Sequence, residues 1–248
     1  MDSSCIETRD LIYEGKAKQV FATSDPNLVV IHYKDDASAY NGIKRAQISN
    51  KGVYNNKISS ILYTRLEQMG IPTHFVKRLN DRDQLCKRKD VIPLEFVAHN
   101  IAAGSMARRL GLHDGYKLPV TVYEMCYKND ALDDPLINSY HAVALNLCDK
   151  DTIVKAQALL ERINYALQKM FALIGITLVD FKTEFGKTAD GMLVLADELS
   201  PDTCRLWDTA THESMDRDRF RRDLGRVAEA YEEILKRLEQ QPLSQPLS

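Results

Sequence analysis

The segment "LVDFKTEFGKTADGMLVLADELSPD", Leu178 to Asp202, sets charged groups into runs that otherwise read as buried strand. Side chains two apart along a strand share a face, about 7 Å from one another. Asp180, Lys182 and Glu184 therefore point one way, while Val179, Phe181, Thr183 and Phe185 point the other, toward a core. "GKTADG" supplies a loop between two strand-like runs, and the simplest hairpin pairs Phe185 with Met192. That register sets Asp180 opposite Asp197 and gathers Asp180, Glu184 and Asp197 around Lys182. Opposed carboxylates repel unless a cation lies between them. Hard oxygen donors with room for water and phosphate oxygens suit Mg2+, which takes one or two carboxylates and completes its shell with substrate. The chemistry implied is a magnesium-nucleotide site. A plainer alternative is a solvated strand face on which Lys182 pairs with its neighbours. Two features weigh against it: the acidic pair Asp197-Glu198 directly follows the apolar run "MLVLA", and "SPDTCRLWD" then brings Arg205 and Asp208 beside the only Trp. Strand ends that lead into polar loops are where sites are usually built.

Other segments offer parts for the same chemistry. "EGKAK" places Lys16 and Lys18 on one strand face just after Gly15, where backbone can approach a ligand closely. Such a pair would neutralise triphosphate oxygens, or would simply be a lysine edge that discourages aggregation. "AAGSMARRLGL" reads as a Gly turn with Ser105 capping a short helix, a seat for phosphate or an ordinary N-cap. His99 lies in an apolar strand, where a core histidine is the usual occupant, and Lys128 in "YKNDALDDP" reads as a loop lysine. "DRDRFRRDLGR" reads as a solvated helix start from which Arg221, with Arg205, could reach a phosphorylated substrate. "GKT" at Gly186 to Thr188 resembles the end of a P-loop, but Phe181 stands where that motif requires glycine, and no G-x-G-x-x-G is present. ATP would need a sheet-based site.

The elements that must position these groups are legible in outline. Leu11 to Lys34 alternates and turns as a β-meander, so the first quarter is β-rich. "KGVYNNKISSILYTRLEQMG" carries Ile58, Ile61, Leu62, Leu66 and Met69 at helical spacing and stops at Gly70. "IPTHFVKRL" and "VIPLEFVAHNI" read as strands separated by a charged turn, and Lys117 to Leu147 as strands with a long loop. "DTIVKAQALLERINYALQKMFALIG" is the clearest helix, with Ile153, Ala156, Leu160, Ile163, Leu167, Met170 and Ile174 on one face. A last helix is expected from about Arg217 to Leu238. Strands in runs separated by helices argue for an α+β fold with antiparallel sheets. The expected organisation is a small β-rich lobe over residues 1-85, a larger α+β lobe over 86-240 and a disordered tail over 241-248.

Bulk composition narrows the classes. With 248 residues, 44% of them hydrophobic, the chain can bury a substantial core. Its formal net charge of -2 lacks the basic field that nucleic-acid binding requires. The charged N-terminus does not read as a signal peptide, and no segment approaches the roughly 20 apolar residues that span a bilayer, so a cytoplasmic protein without membrane association is expected. Five dispersed cysteines without C-x-x-C and six histidines without H-E-x-x-H argue for reduced structural thiols and against zinc.

Taken together, "YEGKAK", "DDASA", "KGVYNNK", "GIPTHF", "IPLEFVAHNIAAGS", "KNDALDDP", "LVDFKTEFG", "ADELSPDTCRLWD" and "MDRDRFRRDLG" resemble, in order and from about Leu11 to Leu238, the phosphoribosylaminoimidazole-succinocarboxamide synthase family. The resemblance implies a two-lobed α+β fold related to ATP-grasp, with ATP between the lobes, and a likeness to homodimeric enzymes. It implies the reaction of carboxyaminoimidazole ribonucleotide (CAIR), L-aspartate and ATP to the succinocarboxamide ribonucleotide (SAICAR), ADP and phosphate, through an acyl phosphate. By position it implies ATP contacts from Lys16, Lys18, Val91, Lys128 and Lys182, and Mg2+ on Glu184 and Asp197. Asp180, with Lys182, faces the chemistry, and His99, Ser105, Arg205 and Arg221 bind the ribonucleotide. Two positions depart from the family: His99 stands where Arg precedes Asn, and Asn41 where Asp is common. Contact with the substrate carboxylate then falls to His99, as imidazolium or neutral donor, or to another cation. Two alternatives use the same scaffold: a small-molecule kinase that stops at phosphoryl transfer, and a non-catalytic nucleotide-binding protein. The carboxylates Asp180, Glu184 and Asp197 beside Lys182 argue against a pure binder.

Overall fold

A computed structural model describes residues 8-39 and 42-241. Asn41, Cys5 and, apart from Gln241, the tail expected from residue 241 lie outside the described residues. The chain opens with the expected meander, β1 (Thr8–Glu14), β2 (Lys18–Thr23) and β3 (Leu28–Tyr33). A separate hairpin of β4 (Asp36–Ala39) and β5 (Lys44–Gln47) leads into α1 (Lys51–Gln68). β6 (Phe75–Arg78) and β7 (Asp83–Lys87) return to the meander and complete a five-stranded sheet in the order β1-β2-β3-β7-β6.

Between "IPTHFVKRL" and "VIPLEFVAHNI" the charged turn expected from sequence is only partly a turn, because β7 occupies much of it. Gln84, Leu85 and Cys86 are buried against the core while the charges sit at the strand's ends. A short strand bracketed by charge gives little periodic signal. The lobe boundary expected between residues 85 and 86 falls inside this strand.

The second sheet is built on two long strands, β8 (Lys89–Ala102) and β11 (Ile176–Thr188). Between them in the chain lie α2 (Gly104–Leu110), β9 (Tyr116–Tyr127), β10 (Leu136–Ile137), α3 (Ser139–Ala144) and α4 (Lys150–Ala172). β12 (Leu193–Ala196), β13 (Cys204–Asp208), α5 (Asp218–Arg221) and α6 (Val227–Gln240) complete the chain. The sheet runs β10-β9-β8-β11-β12, with β13 also paired to β11, and the pairs are antiparallel. The fold is α+β with antiparallel sheets and packed helices, as expected.

α4 forms because its apolar face repeats at helical spacing and its first turn is capped: the Asp149 carboxylate accepts the Thr152 N–H at 2.8 Å. Ile153, Ala156, Leu160, Ile163, Leu167 and Met170 are all buried. They share one core with Ile58, Leu62 and Leu66 of α1, Phe181 of β11 and Leu235 of α6. The last helix expected from Arg217 to Leu238 is in fact two. Asp223, Gly225 and Arg226 take left-handed backbone between α5 and α6, and the Arg219 guanidinium donates to Gly225 O at 2.8 Å, closing the break.

The two sheets are joined behind the cleft by the segment before β6. Leu195 N–H donates to Pro72 O and His74 N–H to Leu195 O, each at 2.9 Å, so β12 is tied to the five-stranded sheet. This seam fixes where β12 ends, and with it the position of Asp197.

Candidate active site

A cavity of about 1080 Å³ opens between the sheets, lined by the Gly15 turn, Val20, Ile31, Lys89, Val91, the 128–134 loop and the β11–β12 strand ends. Charge is concentrated there. Lys18 pairs with Asp197 and lies 3.6 Å from Glu198, Lys128 pairs with Glu184, and Lys182 pairs with Glu95 of β8. Lys16 pairs with Asp130 at 2.8 Å across the mouth. The structure therefore brings Lys16, Lys18, Lys128, Lys182, Glu184, Asp197 and Val91 to one cavity. Lys16 and Lys18 do not share a strand face: β1 ends at Glu14, so Lys16 sits exposed in the turn and Lys18 begins β2.

The strand parity read for β11 holds. Val179, Phe181, Thr183 and Phe185 are buried, while Asp180, Lys182 and Glu184 meet polar partners on the other face. The hairpin register does not hold. Phe185 pairs with Leu195, not Met192, a slip of three residues that arises because β11 runs on to Thr188 and the turn lies further along the chain than the glycine-flanked loop suggested. Asp180 consequently faces not Asp197 but Arg205 on β13 and His99 on β8. An odd slip would turn Asp197 away from Glu184. It returns because β12 stops at Ala196 and Asp197 takes left-handed backbone, φ 64°, which Asp tolerates better than most residues.

Glu184 and Asp197 act on each other electrostatically. Burial and then the Asp197 charge push the Glu184 carboxyl up. Burial alone would raise Asp197 too, but Lys18, Lys182 and Lys128 outweigh it and hold Asp197 low. Two buried, mutually repelling carboxylates beside lysines meet the donor requirement of Mg2+, which needs only one or two from protein. Among the described residues no group of three or more His, Cys, Asp or Glu forms a metal-holding cluster, so this pair is not the three-carboxylate set suggested by the hairpin.

Asp180 belongs to a second cluster, at the other end of β11. It pairs with Arg205, whose Nε donates to Asp218 at 2.7 Å, and Asp218 in turn accepts from Arg221 at 2.7 Å. His99 Nε2 lies 3.2 Å from Glu124, which also pairs with Arg109. Its Nδ1 lies 3.5 Å from Asp180, an ion-pair distance without a hydrogen bond. Burial works against the imidazolium, but Asp180 and Glu124 prevail and raise its pKa above the ordinary value. Ser105 is exposed in the first turn of α2, two positions past the N-cap. The N-cap is Ala103 and makes no side-chain cap, so the expected capping role is not seen. Gly104 has left-handed backbone, and a Cβ there would sit 2.7 Å from an Arg205 nitrogen, so glycine is what lets Arg205 reach the start of α2.

Glu95, Glu124, Arg109, Lys89 and His74 escaped the sequence reading, and Glu198 was noted only as half of an acidic pair. Glu95 and Glu124 alternate with apolar residues, as on any solvated strand face, and only cross-strand pairing shows what they meet. Behind the cleft, Lys51 is buried against Asp202, which also accepts from Asn55 at 2.8 Å and from Tyr231 at 2.7 Å. That network anchors the loop from Asp197 to Thr203.

Fold and cleft together define a nucleotide-using α+β enzyme. The chain belongs to the SAICAR synthetase family, whose sequence model matches residues 11–238. It is 58% identical over 233 residues to a phosphoribosylaminoimidazole-succinocarboxamide synthase of Clostridium botulinum, covering 94% of this chain and 99% of the relative. The crystal structure of the enzyme of that name from Ehrlichia chaffeensis superposes with a TM-score of 0.91 at 44% identity, covering 94% of this chain and 100% of the other. A type-2 SAICAR synthetase in complex with ADP superposes with a TM-score of 0.89 at 44% identity, covering 95% and 99%. The chain is accordingly an enzyme, an ATP-dependent carbon–nitrogen ligase that joins L-aspartate to CAIR in purine biosynthesis.

Proposed function

We propose that the cavity and the Asp180 cluster divide the reaction between them, ATP in the first and CAIR across the second. The observation that carries this division is that the paired strands β8 and β11 run through both, with Val91, Glu95, Lys182 and Glu184 in the cavity and His99 and Asp180 in the second cluster. Lys16, Lys18, Lys128 and Lys182 receive the ATP phosphates, and Val91 meets the adenine. Glu184 and Asp197 hold Mg2+, which when bound neutralises phosphate charge and aligns the γ-phosphoryl group. Arg205, Arg221 and Ser105 grip the ribonucleotide phosphate, for which guanidinium forks are suited. His99, as imidazolium, contacts the CAIR carboxylate, and Asp180 fixes both His99 and Arg205 at the reacting end.

A CAIR carboxylate oxygen attacks the γ-phosphorus, releasing ADP and forming an acyl phosphate. Lys182 neutralises charge on the transferring group. The L-aspartate amine then attacks the acyl carbon, phosphate leaves and the amine loses its proton. Little covalent chemistry is asked of the protein, so positioning and preorganised charge supply the catalysis.

The same reading includes a homodimer and a cytoplasmic location. No described helix is long and apolar enough to cross a membrane. Incubation with CAIR, ATP and Mg2+, with and without L-aspartate, followed by mass analysis of products, tests the reaction. SAICAR and ADP should form together only when aspartate is present. Sustained ADP formation without aspartate would mark a kinase, and binding of ADP with no turnover would mark a non-catalytic protein.

A further inference from the structure

Four lysines of the cleft, Lys16, Lys18, Lys128 and Lys182, each have a carboxylate partner. Lys89 lines the same cavity and has none among the described residues. It opens β8, opposite Thr188, and its aliphatic stem lies across Gly186: a Cβ on that glycine would come within 2.9 Å of Lys89 Cδ. Burial pulls the Lys89 ammonium down, with Lys18 adding to the effect and Cys86, Asp197 and Glu184 opposing it. Close by, His74 also borders the cavity. It is fully buried, neither ring nitrogen has a hydrogen-bond partner, and its ring meets Tyr63 edge-on at 5.3 Å. Burial, then the charge of Lys89, keeps that ring neutral. Unpaired buried polar groups are costly and rare, and a bound ligand is one of the few things that accounts for them. His74 is such a group, and the half-buried Lys89 on the same cavity lining, with no carboxylate partner among the described residues, adds a second donor without a protein acceptor.

We propose that Lys89, with His74 beside it, is a ligand-binding wall of the cleft that donates to a hydrogen-bond acceptor of the bound nucleotide, a ring nitrogen of the base or a phosphate oxygen. It rests on the reading of this cavity as the ATP site. Lys89 is then a specificity residue that becomes fully paired only in the complex, while the other lysines exchange a carboxylate for phosphate.

Calorimetric titration of the full chain with ADP and, separately, with adenosine distinguishes the two acceptors. Lys89→Met should weaken ADP binding by about tenfold or more, the effect of one hydrogen bond to a charged group, and Lys89→Arg should restore most of it. An equal loss for adenosine places the acceptor on the nucleoside, and an unchanged adenosine affinity places it on a phosphate. In turnover, KM for ATP should rise with kcat nearly unchanged, a split that a merely structural role would not produce. Lys16→Met is the companion variant. If it weakens ADP while Lys89→Met does not, the Lys89 proposal is overturned and the cavity remains the ATP site. If neither variant changes ADP affinity, both readings fail.

Discussion

At the scale of single residues, the site depends on how far burial is offset by charge. Asp197 is held ionised by three lysines despite its burial, and Glu184 beside it is pushed up. Asp197→Asn keeps the shape but removes one negative charge, so turnover should fall about a hundredfold or more, by analogy with losing one preorganised charge stabiliser. Circular dichroism should show the fold retained, and product formation near the parent rate at saturating Mg2+ would refute the metal assignment. His99 supplies a pH signature. The charged groups that face it are Glu124 on β9 and Asp180 on β11, with Arg109 and Arg205 behind them. Because its folded pKa lies above the ordinary value of about 6.5, the imidazolium contribution is complete below that pH and is lost as pH rises through the folded value. KM for CAIR should therefore rise as pH increases above the ordinary value of about 6.5. His99→Arg, which stays charged, should flatten that rise; identical profiles for the two proteins would remove His99 from the substrate contact. Alternation along β11 made its polar face legible from composition and spacing alone. The partners of that face were not legible, because Glu95, Glu124 and Lys89 are distant in sequence and resemble ordinary surface residues.

At the scale of elements, β8 and β11 decide the geometry. They pair from Asp180–His99 through Glu184–Glu95, slip, and resume at Gly186–Val91. After the slip Gly186 lies so close that a Cβ would sit 2.9 Å from Asp90 O, a backbone atom that cannot swing aside. Gly186→Ala should destabilise the protein by about 1–3 kcal/mol in urea unfolding, the usual cost of forcing atoms into a packed site. ADP affinity should fall with it, since Lys89 and Val91 would move. Unchanged stability and affinity would mean that the strand pair yields without consequence. Helix faces and most strand positions could be read in advance because burial imposes a period. The β11–β12 register could not: a flexible-looking loop leaves several pairings open, and the one that forms is set by the Pro72–Leu195–His74 seam, a contact between distant segments.

At the scale of the whole molecule, the main core runs from α1 through β8 and β11 to α6 and takes in Phe75 of the five-stranded sheet. Val29, Ile31, Tyr33 and Cys86 of that sheet form a smaller cluster, and the Pro72–Leu195–His74 seam ties the two sheets together. The two sheets are thus expected to unfold together although a cleft separates their outer ends. Leu167→Ala, in the middle of that core and fully buried, should cost about 2–5 kcal/mol. Trp207 fluorescence, which reports β13, and helix circular dichroism should still shift to the same lower midpoint; separated midpoints would show two independently stable halves. Class of fold was legible from the order of strand and helix signals, whereas the cavity, which exists only after the sheets are joined, was not. The Tyr231–Asp202–Lys51 network has a consequence in time as well as in space. α6 leaves the ribosome after every residue that lines the cleft, yet Tyr231 is the last buried partner of the loop that carries Asp197. A nascent chain that has not reached Tyr231 has made all the strands of the enzyme but not a finished site, so an interrupted translation product is a protein without the means to spend ATP.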